Sequence, residues 1–229
     1  MAVTTHTDKQ YEEELNELRQ RILAMGGLVE KQIANAVRAL TTKDRALAGA
    51  TIRKDHAVNG LDVAIDDLCI RLLALRQPAA RDLRFITTAL KITTDMERIG
   101  DMAVNISERA LELSEEPALK PYIDVPRMAE ISSSMLRRSL DAFVREDTEL
   151  ALEVCRGDDE VDRLNEQIFR ELLSFMLEDP HTITRAMRIL FVSKYLERIA
   201  DHATNIAEMV IFMVKGKSIR HVEELPPSV

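Results

Sequence analysis

The chain has 229 residues, enough for one large domain or two small ones, each with a proper core. Its net charge of −8 argues against nucleic acid as the main partner, since a duplex binder presents an excess of Lys and Arg to phosphates. Only 7 Gly, 7 Pro and no Trp, with 46% hydrophobic and 31% charged residues, point to an all-helical protein.

The prolines divide the chain into long segments with apolar residues at helical spacing. A first helix is expected over about 8–41, where Leu15, Leu18, Ile22, Met25, Val29, Ile33, Val37 and Leu40 form one seam. Gly26 and Gly27 in its middle predict a kink or close packing. A second helix covers about 44–76, with a break near Thr51 and a seam of Val58, Leu61, Ile65, Leu68 and Leu72. Pro78 opens a turn, and a third helix follows over about 80–114. The segment EEPALKPYIDVP carries three prolines and reads as the main linker. Helices over about 125–144, 147–178 and 182–215 complete the chain, with Pro180 repeating the role of Pro78. The expected architecture is all-α: two three-helix bundles, 1–118 and 119–229, related by an internal pseudo-twofold.

One twelve-residue stretch occurs twice, at an offset of 100. Residues 97–108 read ERIGDMAVNISE and residues 197–208 read ERIADHATNIAE, identical at eight of twelve positions. Each copy places Glu, Asp and Asn at i, i+4 and i+8: Glu97, Asp101 and Asn105, then Glu197, Asp201 and Asn205. On an α-helix these drift by only about 40° per step, so they form one polar stripe. Ile99, Ala103, Ile106 and Ala110 fall roughly opposite, as do Ile199, Ala203, Ile206 and Val210. Charged residues opposite an apolar seam ordinarily form a solvated face, which requires charge but no particular residue in a particular place. Recurrence of the same acid, shorter acid and amide in the same order brings a cation-binding stripe level with that reading.

A second stripe lies on the preceding helix of each half: Asp55, Asn59, Asp62 and Asp66, and Asp158, Asp162, Asn165 and Glu166. Two antiparallel stripes facing one site would supply the oxygens a hard cation needs, with a solvated face again the simpler alternative. His56 and His202 each adjoin a carboxylate and read as exposed ion-pair partners. Ser132, Ser133 and Ser134 read as an exposed run. Cys69 and Cys155 are isolated, which fits a reducing compartment. The start MAVTTHTDKQ lacks a signal-peptide pattern, and no apolar run reaches about 20 residues, so a soluble cytoplasmic protein is expected. A pair of Glu-x-x-His motifs, a phosphate loop and a nucleophile elbow are absent from the sequence, Glu178-x-x-His181 occurring once and across Pro180.

With ERIxDxAxNI in each of two three-helix halves, the sequence resembles the PhoU family of phosphate-transport accessory proteins. The likeness runs over about 8–223 and includes ILAMGG, ARDLR after Pro78, MLEDP before the last helix, and VKGKSIRHVEEL. The family pattern is Glu or Asp, three residues, then Asp, and some members hold iron or zinc clusters through it. Glu97/Asp101, Glu197/Asp201 and Asp158/Asp162 match the pattern. Asp55/Asn59 departs from it, with an amide in place of the second acid.

The resemblance implies a non-enzymatic, cytoplasmic, commonly dimeric regulator that keeps the phosphate-starvation response off when phosphate is plentiful. It implies as partners the ATPase subunit of the phosphate ABC transporter and a sensor histidine kinase, with peripheral membrane association through them. It also implies bound metal, with iron, zinc, magnesium and manganese as candidate ions, divalent or ferric. Two rivals are a metal-dependent phosphatase or oxidase using the acidic stripes, and a metal-free helical adaptor whose stripes are solvated.

Overall fold

The computed structural model describes residues 4–217, with side chains from residue 9. Most of the C-terminal VKGKSIRHVEEL segment, from Ser218 on, lies outside the described residues, as do Pro226 and Pro227. The described residues contain helices and no strands. They are α1 (Thr4–Thr42), α2 (Arg45–Lys54), α3 (His56–Arg76), α4 (Ala80–Ser114), α5 (Asp124–Arg145), α6 (Thr148–Glu178) and α7 (Ile183–Lys215), with a 3-10 turn at Pro180–Thr182. Helices α2 and α3 are one helix interrupted at a single residue, so each half has three long helices.

The α1 seam is buried along its length, from Leu15 to Leu40. The glycines in its middle do not interrupt it: α1 is continuous, and Gly26 serves close packing. A Cβ there would stand 2.3 Å from Leu140 Cδ1 on α5, whereas one at Gly27 would meet nothing within 4 Å. The break in the second helix falls at Asp55 and not near Thr51. Thr51 stays helical, its hydroxyl donating to the Leu47 carbonyl at 2.9 Å. At Asp55 the backbone tightens to three-residue turns, Asp55 N–H to Ile52 O at 3.3 Å and Val58 N–H to Asp55 O at 2.9 Å.

The pseudo-symmetry shows in the caps. Asp44 accepts from the Leu47 N–H at the start of α2, and Asp147 accepts from the Glu149 and Leu150 N–H groups at the start of α6. Each follows a left-handed residue, Lys43 at φ 55° and Glu146 at φ 54°. In both duplicated stretches, 91–107 and 191–207, buried, half-buried and exposed positions fall in the same order.

The halves share one continuous core. Helix α4 packs on α7, and α1 on both α4 and α5. Phe85 of α4 stacks on Phe143 of α5 with ring centroids 5.1 Å apart, and the Arg19 guanidinium covers the Phe85 ring at 4.5 Å. The linker is anchored by Lys120, nearly buried, which pairs with Glu171 of α6. Arg188 of α7 reaches back to Glu112 and Glu116 at 2.9 and 2.6 Å.

Two expectations are corrected by this packing. Ser132 is fully buried, and its hydroxyl donates to the Met128 and Leu196 carbonyls at 2.9 and 3.1 Å. A small polar residue there satisfies itself on the backbone and lets α5 approach α7 closely; Ser134 alone of the three is exposed. His202 is also buried, with Nδ1 2.7 Å from Asp95 Oδ1. It ties α7 to α4 across the two halves, whereas His56 is exposed as expected.

Candidate functional site

Each half carries an acidic groove between the motif helix and the helix before it. The seams dictate this arrangement. Ile99, Ala103 and Ile106, and Ile199, Ala203 and Ile206, are fully buried in the shared core. The opposite stripe is thereby turned outward, and antiparallel pairing lays the neighbouring helix alongside it. Glu97 and Glu197 are half-buried, and Asp101 and Asp201 are more open.

In the first half the groove gathers Asp55, Asp62, Glu97 and Asp101. Burial raises the Glu97 carboxyl above its ordinary value, and the charges of Asp101, Asp62 and Asp55 push it the same way. Burial and Asp55 raise Asp101, while burial and Asp66 raise Asp62. Asp55 is itself held by two amides, Gln32 Nε2 on Oδ1 and Asn59 Nδ2 on Oδ2, both at 3.1 Å. Glycine at residue 100 leaves room for this close approach of the interrupted helix. A Cβ there would lie 3.3 Å from Asp55 Oδ1 and from Gln32 Oε1. Gln32 Oε1 is buried without a hydrogen-bond partner.

The second half gathers Asp158, Asp162, Glu197 and Asp201 along an unbroken α6. Asp158 is pushed up to about 7, first by burial, then by the charges of Asp201, Asp162 and Glu197. Burial followed by Glu197 raises both Asp162 and Asp201. Asp158 Oδ1 is buried and has no hydrogen-bond partner. Lys194 is the cation at this groove, with Nζ 2.6 Å from Glu197 Oε1. Asn105 and Asn205 lie half-buried one turn beyond the Asp of each motif. Being uncharged, they add nothing to the repulsion and offer only an amide oxygen.

These groups fit a hard cation in their chemistry. Crowded carboxylates that burial and one another's charges push above their ordinary values gain from a positive charge placed among them, and Asp158 supplies an orphaned buried oxygen. Among the described residues, no three His, Cys, Asp or Glu side chains are gathered at ion-binding spacing. The carboxylates thus face one another across each groove without forming a finished cage. Gln32 and Gly100 went unrecognised in the sequence. The available signal for Gln32 was an amide three residues after Val29 on the α1 seam; for Gly100 it was a glycine where the other repeat has Ala200.

Residues 22–110 match the PhoU domain, and residues 125–210 match it a second time. The chain belongs to the PhoU family. It is 44% identical over 222 residues to a Pseudomonas putida protein named phosphate-specific transport system accessory protein PhoU homolog, spanning 96% of this chain and 87% of that one. A like-named protein of Aquifex aeolicus is 44% identical over 208 residues, 91% of this chain and 94% of its own length. The crystal structure of PhoU from Pseudomonas aeruginosa superposes with a TM-score of 0.87 at 44% identity, covering 90% of this chain and all of that one. The phosphate transport system regulatory protein PhoU from Streptococcus pneumoniae gives 0.85 at 32% identity, covering 91% and 99%. The two domain matches coincide with the two three-helix halves, so the duplicated motif marks a duplicated PhoU unit. None of the described helices is long and apolar enough to cross a membrane.

Proposed function

We propose that this protein is a non-enzymatic accessory component of a phosphate-specific transport system that holds the phosphate-starvation response off when phosphate is abundant. In this reading it works at the cytoplasmic face of the membrane, as a homodimer. It links the transporter's ATPase subunit to the sensor histidine kinase of the phosphate two-component system. The observation that carries the proposal is near full-length identity, through both PhoU units, to relatives named as accessory proteins of that transport system. Deleting the gene should leave a phosphate-starvation reporter on in phosphate-rich medium. A reporter that stays off in the deletion defeats the reading. A pull-down under high and low phosphate should recover the ATPase subunit and the kinase.

The acidic grooves would serve this role as cation sites. Asp158, Asp162, Glu197 and Asp201 would hold an ion in the second half, and Asp55, Asp62, Glu97 and Asp101 in the first, with Asn105 and Asn205 as neutral oxygens at the margins. Of the candidate ions, magnesium, manganese and ferric iron suit an all-oxygen donor set best, whereas zinc and ferrous iron more often add imidazole or thiolate. A bound ion would supply charge neutralisation and fix the facing carboxylates in one arrangement. The surface offered to a partner would then differ between loaded and empty protein.

A further inference from the structure

The two halves differ on the outward face of their hairpins. On α6, Phe169, Leu173 and Leu177 stand four residues apart, and on α7, Ile183, Met187 and Phe191 do the same. All six are exposed, from 37% at Met187 to 76% at Leu177. A spacing of four keeps each trio on one helical face, and the turn at Pro180–Thr182 runs the trios antiparallel with Leu177 and Ile183 at the tip. At the motif end the strip opens into a groove of about 490 Å³, where Phe169, Leu190 and Phe191 meet Asp162, Glu166 and Glu197. The duplicated positions of the first half hold Asp66, Ile70 and Ala74 on α3, and Leu83, Thr87 and Lys91 on α4. The fold therefore does not require the strip to be apolar. Two exposed apolar trios on adjoining antiparallel helices, rimmed by charge, mark a binding surface.

We infer that the α6–α7 strip is the docking groove for an amphipathic helix of a partner protein, two to three turns long. Its apolar residues at i, i+4 and i+7 lie between the two trios, and Lys or Arg residues flank them at both ends. Charge complementarity selects this occupant. The inner end of the strip gathers Asp158, Asp162, Glu166, Glu197 and Asp201, where Lys194 pairs with Glu197 and Arg170 with Glu166. The tip carries Glu178 and Asp179. A second copy would bring acid against acid at either end, and an anionic lipid surface would be repelled in the same way.

The test is selection of 16-residue helix-forming peptides with randomised positions on the immobilised full chain, followed by fluorescence polarisation in the presence of a chelator so that the carboxylates are free. Selected peptides should show apolar residues at i, i+4 and i+7 and an excess of Lys and Arg at the flanks. Their affinity should fall at least about tenfold for Phe169→Ser/Phe191→Ser, as expected for aromatic anchors, and stay unchanged for Ile70→Ser in the first half. Leu177→Ser, the most open of the six, repeats the test without touching the motif end, and circular dichroism checks that each variant is folded. Glu166→Gln should weaken the same peptides and flatten their salt dependence. Peptides without a cation bias, or binding undiminished in folded Phe169→Ser/Phe191→Ser and Leu177→Ser, would overturn the inference. So would light scattering showing a dimer that Phe169→Ser/Phe191→Ser converts to monomer, since the strip would then be covered by a second copy.

Discussion

Asp55 and Asp158 occupy equivalent places in the two PhoU units, yet their surroundings differ. Asp55 sits at an interruption between α2 and α3, and Gln32 and Asn59 each donate to it at 3.1 Å. Asp158 lies inside a continuous α6, with one oxygen buried and unpartnered and its carboxyl raised to about 7. The amides give the Asp55 carboxylate hydrogen bonds that Asp158 Oδ1 lacks, while Glu97 beside it is still raised by burial and by neighbouring carboxylates. A duplicated backbone has therefore produced one acidic groove eased at Asp55 and one more strained at Asp158. The strained groove has more to gain from a cation.

The widest test of this comparison is the part in which the halves should not differ. Ile106 and Ile206 are both fully buried in the shared core. Ile106→Asp or Ile206→Asp places an unpaired carboxylate there at a cost of several kcal/mol, comparable with the whole ~5–15 kcal/mol stability of a domain. Both variants should lose most of their helical circular dichroism, while exposed-stripe variants such as Asp101→Ala should stay within about 0.5 kcal/mol of the parent. Stripe variants that unfold as badly would mean the wrong face has been placed inside.

The next test separates the halves by pH. Asp158 is raised from an ordinary value of 3.8 to about 7 in the folded state. The folded protein then holds a proton that the unfolded chain has released, so stability falls as pH rises from about 4 to about 7, and the cost is fully present above that. In metal-free buffer, Asp158→Asn should raise the melting temperature at pH 8 and leave it unchanged near pH 4. A variant no more stable than the parent at pH 8 would remove the claim of strain in the second groove.

The smallest expected effect is Gly100→Ala, which gives the first half the residue that the second has at Ala200. Helix propensity favours alanine by about 1 kcal/mol. The new Cβ would crowd Asp55 Oδ1 and Gln32 Oε1 at 3.3 Å, so the two effects offset. Thermal unfolding should show a net change of less than about 1 kcal/mol.

The fold was legible because proline punctuation and seams at helical spacing are local signals. Leu15 through Leu40 announced α1, and Pro78 and Pro180 announced the two hairpin turns. The acidic stripes were legible because the repeat placed Glu97 and Glu197 in identical contexts. What escaped was set by contacts between distant helices. The break at Asp55 accompanies the amide that Gln32 brings from α1. Gly26 reads as a weak point in sequence but receives Leu140 from the other half. His202 beside Asp201 looks like a surface pair, and its partner turns out to be Asp95, 107 residues away. Ser132 looks exposed in a serine run until α7 supplies the Leu196 carbonyl.

We propose that the duplicated stripes are two cation sites of unequal strength. The direct measurement is calorimetric titration of metal-free protein with manganese, comparing the parent with Asp55→Asn/Asp101→Ala and Asp158→Asn/Asp201→Ala. Loss of the second-half pair should remove the tighter site, loss of the first-half pair only the weaker one, and affinity should fall as pH drops below about 7, where Asp158 takes up its proton. Manganese uptake of equal strength and stoichiometry in all three proteins would contradict it.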